Sequence, residues 1–324
     1  MEMQNQIKEY VALYESEVRK LADQLRNESM PQLTEELFSE FETNGNRMRY
    51  EAVYFGRRKF LSVLGLASVI WREKEDIQKL EEVIREICAE ECWALPAHVR
   101  RKENPNWRGV IDLFASETGQ ALAHLTTLLK DELSEDVIAL AQNEVKARIL
   151  KPFIESKVPY ASWEQTTNNW NAVCCGNVGS AALLLMKEGT EKKKLLERLN
   201  YALENYYLEG FGMDGACQEG LGYWVYGFTY FILFALEQRE YDPSKDLMAS
   251  EKVNAIAHFQ QKCYFALKAL ALLPFYSLHR LNSDASNTSS SKCQPISNSC
   301  LHQAFAHIMY LGNEYHCTDL PDNM

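Results

Sequence analysis

The sequence has little of the features that mark several common classes of protein. Runs that alternate apolar and polar residues between turn residues are nearly absent, which argues against a sheet-based fold. Basic residues are outnumbered, with 34 Lys and Arg against 45 Asp and Glu and a net charge of -11. We therefore expect no general nucleic-acid binding, and an anionic substrate would need local basic residues.

Long apolar runs and targeting features are also missing. The longest apolar candidate, Tyr223 to Leu236, is too short and too aromatic to span a bilayer, so we expect no membrane partner. The N-terminus, MEMQNQIKEYVALYESEV, has neither a basic stretch nor an apolar core. We therefore expect no secretory signal and a cytoplasmic location.

The nine cysteines show no spacing typical of a disulfide framework. We expect a reducing compartment and buried free thiols. Cys88 and Cys92, with His98 downstream, could form a metal site, but no second ligand pair has matching spacing. We predict no metal and no cofactor.

Helical periodicity is what the sequence does contain, in almost every segment. We predict helices over residues 10–25, 60–71, 77–93, 110–129, 137–150, 178–187, 192–207, 223–236, 253–273 and 300–311. The short connections favour antiparallel hairpins, and this many helices suggest a toroid or solenoid of hairpins. An irregular bundle is the alternative. The absence of a fixed repeat counts against a regular solenoid.

Three loops interrupt the helical pattern. The first loop, CWALPAHVRRKENPNWRG, begins at Cys92, and the second loop, TTNNWNAVCCGN, begins at Thr166. The third loop, GFGMDGACQEGLGYWVYG, begins at Gly210 and holds six of the fifteen glycines. Glycine costs a helical protein stability unless the backbone needs unusual angles or close approach. Such a loop is therefore more often functional than decorative.

The first loop carries His98 and a basic run of Arg100, Arg101 and Lys102. In an acidic protein this patch could form an anion-attracting rim, or it could be an ordinary solvated loop.

The second loop places three asparagines around a tryptophan. Thr166 to Asn168 could cap the following helix, while Asn169 and Asn171 could hydrogen-bond the loop backbone. These roles leave Trp170 unexplained. An indole beside primary amides is a common way to hold a sugar, because the ring covers an apolar sugar face and the amides bind hydroxyls or a carboxylate.

The third loop leads into a helix that we expect to begin near Leu221. Tyr223 and Tyr226 would lie in its first turns, and Tyr230 would follow on the same side. These aromatic side chains could line a site, or they could pack in the core while Glu219 caps the helix.

Five motifs occur in order from Trp93 to Ser286: WALPAH, IDLFASETG, NNWNAVCCGNVGSAAL, DGACQEGLGYWVYG and LNSDAS. Together they resemble the N-terminal helical domain of heparinase II/III-type polysaccharide lyases, and NNWN with EGLGYW is quite specific. Residues 1–90 match only in being helical. The resemblance implies an all-α fold, an incomplete (α/α) toroid with the substrate cleft across one end. The family's C-terminal β-sandwich domain would follow, and we expect it to be absent because the chain stops at Met324.

The resemblance also implies a division of the chain. We expect one helical toroid domain over residues 1–324, with N-terminal helices over 1–90, the cleft region over 91–286 and a helical tail over 287–324. A missing β-sandwich domain would be a natural partner for it.

The activity implied by the resemblance is β-elimination on a glycan that contains uronic acid, such as a glycosaminoglycan or alginate. In the family, a residue that neutralises the uronate carboxylate precedes the catalytic tyrosine by an interval that matches the 54 residues from Asn169 to Tyr223. We therefore expect Asn169 to neutralise the carboxylate and Tyr223 to act as the acid, with its use as the base left open. The expected substrate-binding residues are His98, Arg101, Trp170, Glu219, Trp224 and Tyr226.

Two other functions stay open at this point. A carbohydrate-binding or scaffold module would keep the cleft without the chemistry. A hydrolase on the same toroid, such as an unsaturated glucuronyl hydrolase, would need two carboxylates facing each other across the sugar. Asp214 and Glu219 are the one such pair in a suitable loop.

Overall fold

The computed structural model describes residues 15–260, 262 and 263. Most of these residues are helical, and they contain no β-strand beyond an isolated bridge between Phe211 and Cys217. The all-α prediction is confirmed for this part of the chain. The predicted helix over 300–311, the LNSDAS motif and the tail over 287–324 lie outside the described residues.

Ten α-helices follow a helical segment over residues 15–26. They are α1 (Glu35–Asn44), α2 (Met48–Trp71), α3 (Lys74–Cys88), α4 (Leu113–Leu128), α5 (Glu135–Val145), α6 (Lys151–Glu155), α7 (Asn169–Leu185), α8 (Thr190–Asn205), α9 (Leu221–Tyr241) and α10 (Glu251–Ala257). A π-helical turn, Lys146–Leu150, joins α5 to α6. In the described residues, no helix is both long and apolar enough to cross a bilayer.

Helices α2, α4, α7 and α9 lie side by side in that order and form a central row. The first two run parallel, because their contacts advance together along both helices. The rings of Tyr54 and Phe114 pack 6.2 Å apart, and Arg58 Nε, one turn further on, donates to Thr118 Oγ1 at 2.9 Å. The N-termini of α2 and α4 therefore lie at the same end of the central row.

Helices α7 and α9 also run parallel and approach each other closely. A Cβ atom added at Gly176 would lie 2.9 Å from the carbonyl oxygen of Tyr230. One added at Gly179 would lie 2.2 Å from Cε2 of Phe234. Only glycine fits at these two positions without a shift of the α9 backbone at Tyr230 or of the Phe234 ring, so the glycines allow the close approach of α7 and α9.

The central helices connect to a second row that runs the other way. Short connections lead from α2 to α3, from α4 to α5 and from α7 to α8, so that each pair forms an antiparallel hairpin. Lys192 Nζ near the start of α8 donates to the carbonyl oxygen of Leu183 near the end of α7 at 3.0 Å. The hairpins place the start of every central helix on one side of the molecule.

The structure changes one predicted boundary that concerns the second loop. Helix α7 begins at Asn169, nine residues before the predicted start at residue 178, so most of this stretch is helical. Its one glycine, Gly176, lies inside the helix, where the lack of a side chain lets α9 approach. The predicted helix over 77–93 is also shorter, because α3 ends at Cys88.

Candidate functional site

The starts of α4, α7 and α9 lie together at one end of the central row. Asp112 caps α4 by accepting from the backbone N–H of Ala115 at 2.7 Å. Asn168 caps α7 by accepting from the backbone N–H of Trp170 at 3.1 Å. Helix α9 follows Gly220, which offers no side chain as a cap. Helix N-termini carry free N–H groups and partial positive charge, so this end of an acidic protein favours an anion.

Asn169, the first residue of α7, holds a carboxylate in a two-point contact. Its backbone N–H donates to Glu219 Oε2 at 2.7 Å, and its side-chain Nδ2 donates to Glu219 Oε1 at 2.8 Å. Asn169 is only 4% exposed, whereas Glu219 lies at the surface. The Asn169 Oδ1 atom is buried and has no hydrogen-bond partner among the described residues. The second and third loops therefore meet at this contact.

Tyr223 lies in the first turn of α9, between two residues that touch Asn169. Glu219 precedes it by four residues, and Gly227 follows it by four. A Cβ atom at Gly227 would lie 3.0 Å from the Cβ of Asn169, so the start of α9 passes close to that residue. Tyr223 is 56% exposed and is therefore open to a ligand. Asn169 and Tyr223 lie at the same end of the central row.

His98 from the first loop lies against the second loop. Its ring makes an edge contact with Trp170 at 4.8 Å between centroids and packs parallel to Phe114 at 6.1 Å. Its Nδ1 atom lies 2.7 Å from Asp112 Oδ2. The same carboxylate oxygen accepts from the backbone N–H of Leu95 at 3.1 Å. The cap of α4 thus fixes the histidine beside the tryptophan.

Glu117 is a residue of this region that the sequence analysis missed. It is 6% exposed, and its Oε1 accepts from the phenols of Tyr226 at 2.5 Å and Tyr230 at 2.9 Å. Burial raises the pKa of Glu117 to about 7, against the lowering effect of the two hydrogen bonds. Burial, followed by the nearby Glu117 carboxylate, also raises the pKa of Tyr226 well above its usual value. Glu117 is the one carboxylate in α4, a helix with no Lys or Arg, and that was the available signal.

Two residues predicted to bind substrate have other partners. Arg101 donates to Glu35 at 2.6 Å and lies 3.4 Å from Glu42, so its charge is balanced within the protein. Trp224 is buried, and its indole N–H donates to the carbonyl oxygen of Ile256 at 3.0 Å. Among the predicted site residues, contacts join His98 to Trp170 and Asn169 to Glu219. Tyr223 lies four residues after Glu219, at the same end of the central row. Tyr226 binds Glu117, and the contacts of Arg101 and Trp224 lead to other parts of the described chain.

No protein-family model matches the chain, and no curated protein matches it.

Proposed function

We propose that the chain is a polysaccharide lyase of the heparinase II/III type, or the helical domain of one, and that it cleaves a glycan containing uronic acid. The contact between Asn169 and Glu219 carries this proposal. Two N–H groups of one residue hold a carboxylate at 2.7 and 2.8 Å, and the same pair of donors would bind the carboxylate of a uronate. In the substrate complex, the uronate takes the place of the exposed Glu219 carboxylate.

The arrangement of the helices supports an incomplete (α/α) toroid. Parallel central helices with antiparallel outer helices are what successive hairpins of such a toroid would give. The cleft then lies at the N-terminal ends of the central helices, where free N–H groups attract a carboxylate. An anionic substrate of a protein with a net charge of -11 needs such a local source of positive charge.

The reaction assigns a separate task to each residue. Asn169 binds the uronate carboxylate and stabilises the charge that develops when the neighbouring C5 proton leaves. The C5 electron pair forms the double bond to C4, and the bond between C4 and the glycosidic oxygen breaks. Tyr223 donates its phenol proton to that oxygen. Trp170, half-buried beside Asn169, covers an apolar face of the sugar.

A sugar-binding module without chemistry is the second candidate. The contact between Asn169 and Glu219 favours this module in one respect. Asn169 is buried and already binds Glu219, so a sugar could bind at the surface without Asn169 taking part in any chemistry. A hydrolase has less support, since both carboxylates of its pair have structural partners. Asp214 Oδ1 accepts from the backbone N–H of Ala216 at 3.0 Å, and Glu219 binds Asn169.

An absorbance assay on glycosaminoglycan and alginate oligosaccharides tests the proposal, because a lyase product contains an unsaturated uronate and a hydrolase product does not. We expect Asn169→Ala to lower the rate by about 100-fold or more, as the loss of a preorganised donor does. Asn171→Ala is the matched control. Asn171 lies two residues further along α7, and its Nδ2 donates to the carbonyl oxygen of Glu164 at 2.9 Å. It should cost stability and leave turnover nearly unchanged.

Tyr223→Phe separates the lyase from the binding module. The variant keeps the ring and loses the hydroxyl, so turnover should stop while oligosaccharide binding, measured by calorimetry, persists. Product formation by Tyr223→Phe at the wild-type rate would remove Tyr223 from the mechanism. Binding by the wild type without any product would support the module, and neither binding nor product on every uronate substrate would exclude both candidates.

A further inference from the structure

His98 and Asp112 form a pair that the roles given above do not use. Asp112 is a buried carboxylate held by the backbone N–H groups of Leu95 and Ala115, and its Oδ2 lies 2.7 Å from His98 Nδ1. A carboxylate accepts hydrogen bonds, so Nδ1 is the ring nitrogen that carries the proton. In the neutral ring the other nitrogen, Nε2, therefore carries the lone pair, and it makes no hydrogen bond within the described part of the chain.

The histidine ring is positioned to work at the candidate site. Phe114 covers one face of the ring, Trp170 contacts it from the side, and 17% of its side chain stays exposed. Because Nδ1 faces the buried Asp112, the edge with Nε2 is the one available to a ligand. Trp170 directly follows Asn169 in the chain, so the contact with Trp170 places the His98 ring at the start of α7.

We infer that His98 is the general base of the reaction, and that Asp112 is a positioning residue that fixes the imidazole with Nε2 free; this inference rests on the proposed lyase function. Nε2 takes the C5 proton, and the C5 electron pair forms the C4–C5 double bond. The glycosidic oxygen leaves with the electrons of the C4–O bond and takes the phenol proton of Tyr223. Histidine is then protonated and tyrosine deprotonated, and a proton transfer through water restores both.

The inference supplies the base from within the described part of the chain. Two residues of the helical chain, one from the first loop and one from the third, divide the proton transfers between them. Tyr223 then acts as the acid alone, and its hydroxyl has no need to lose its proton before the reaction.

Imidazole rescue tests this role, because a structural histidine would not show it. We expect His98→Ala to keep its substrate affinity and to lose between about 100-fold and 10,000-fold in kcat, the usual contribution of a general base. The substitution leaves a gap between Phe114 and Trp170. Added imidazole should restore part of the rate in a saturable way, and the restored rate should rise with pH as imidazole loses its proton.

The matched control is His258→Ala. His258 is exposed, and its Nδ1 lies 2.8 Å from the backbone oxygen of Asn254, outside the candidate site. This variant should have wild-type activity and no response to imidazole. Asp112→Asn keeps a side-chain oxygen to cap α4 but loses the acceptor for Nδ1, so kcat should fall while the folded variant still binds oligosaccharide.

The outcomes separate this inference from the proposed function. A wild type that releases no unsaturated product disproves the lyase, whatever His98 does. An active wild type with a folded, equally active His98→Ala variant disproves the role of His98 and leaves the lyase intact. A His98→Ala variant whose KM rises while kcat is unchanged also overturns the inference, because it assigns His98 to binding.

Discussion

Glu117 should make the free energy of unfolding of this protein depend on pH, and Glu117→Gln should remove that dependence. Burial raises the pKa of its carboxyl group from 4.5 to about 7, although Tyr226 and Tyr230 donate hydrogen bonds to it. In the unfolded chain the carboxyl group is solvated and ionises at its ordinary pKa. The folded state therefore binds the proton more tightly. The resulting stability is fully present below pH 4.5 and is lost as the pH rises through about 7.

The size of the effect follows from the two pKa values. Each unit of pKa difference corresponds to about 1.4 kcal/mol of free energy, so a pKa of about 7 in place of 4.5 gives about 3 kcal/mol in all. Glu117→Gln replaces the carboxyl group with a neutral amide of the same shape. The amide oxygen still accepts from a phenol, and the group does not ionise. The variant should therefore lack this part of the pH dependence.

Urea unfolding of the wild type and Glu117→Gln, measured at intervals between pH 4 and pH 8, isolates the contribution of Glu117. We expect the wild type to lose about 3 kcal/mol relative to the variant over this range. Tyr230→Phe removes one of the hydrogen bonds that lower the pKa, so its loss of stability should extend to higher pH. Parallel curves for the wild type and Glu117→Gln would refute the reasoning.

Two further predictions concern helix spacing and the carboxylate contact. Gly179→Ala should lower the free energy of unfolding by about 1–3 kcal/mol or more in urea titrations, because the new Cβ would lie 2.2 Å from the buried ring of Phe234. A Cβ atom added at Gly222 would have no neighbouring atom within 4 Å, so Gly222→Ala should instead raise the free energy of unfolding by up to about 1 kcal/mol. Equal effects of the two substitutions would contradict the packing of α7 on α9. Glu219→Gln removes the negative charge that competes for Asn169, so the calorimetric Kd for a uronate oligosaccharide should fall several-fold; a higher Kd would mean that Glu219 helps to hold the sugar.

The features that the sequence predicted correctly depend on neighbours along the chain. Asn168 caps α7, as expected of an asparagine before an apolar run. Asn171 braces the loop, since its Nδ2 donates to the carbonyl oxygen of Glu164 seven residues earlier. Helix α9 begins at Leu221, as predicted, directly after Gly220. Caps and turns are local, so residue type and order were enough to predict them.

The features that the sequence did not predict depend on contacts between residues that are far apart in the chain. Glu219 was expected to cap its own helix or bind sugar, whereas it binds the start of α7, 50 residues away in the chain. The pairing of His98 with Asp112 and that of Glu117 with Tyr226 also join different elements. No periodicity reports which helices pack together, so these partners follow only from the arrangement of the central row.

The close approach of α7 and α9 limits how this sequence can change over evolution. A phenylalanine ring occupies the space that any side chain at position 179 would need, so a larger residue at 179 is best accommodated together with a smaller one at 234. If the change at 234 comes first, the intermediate must tolerate a cavity. Linked changes at these two positions would therefore identify distant relatives of this protein after the rest of the sequence has diverged.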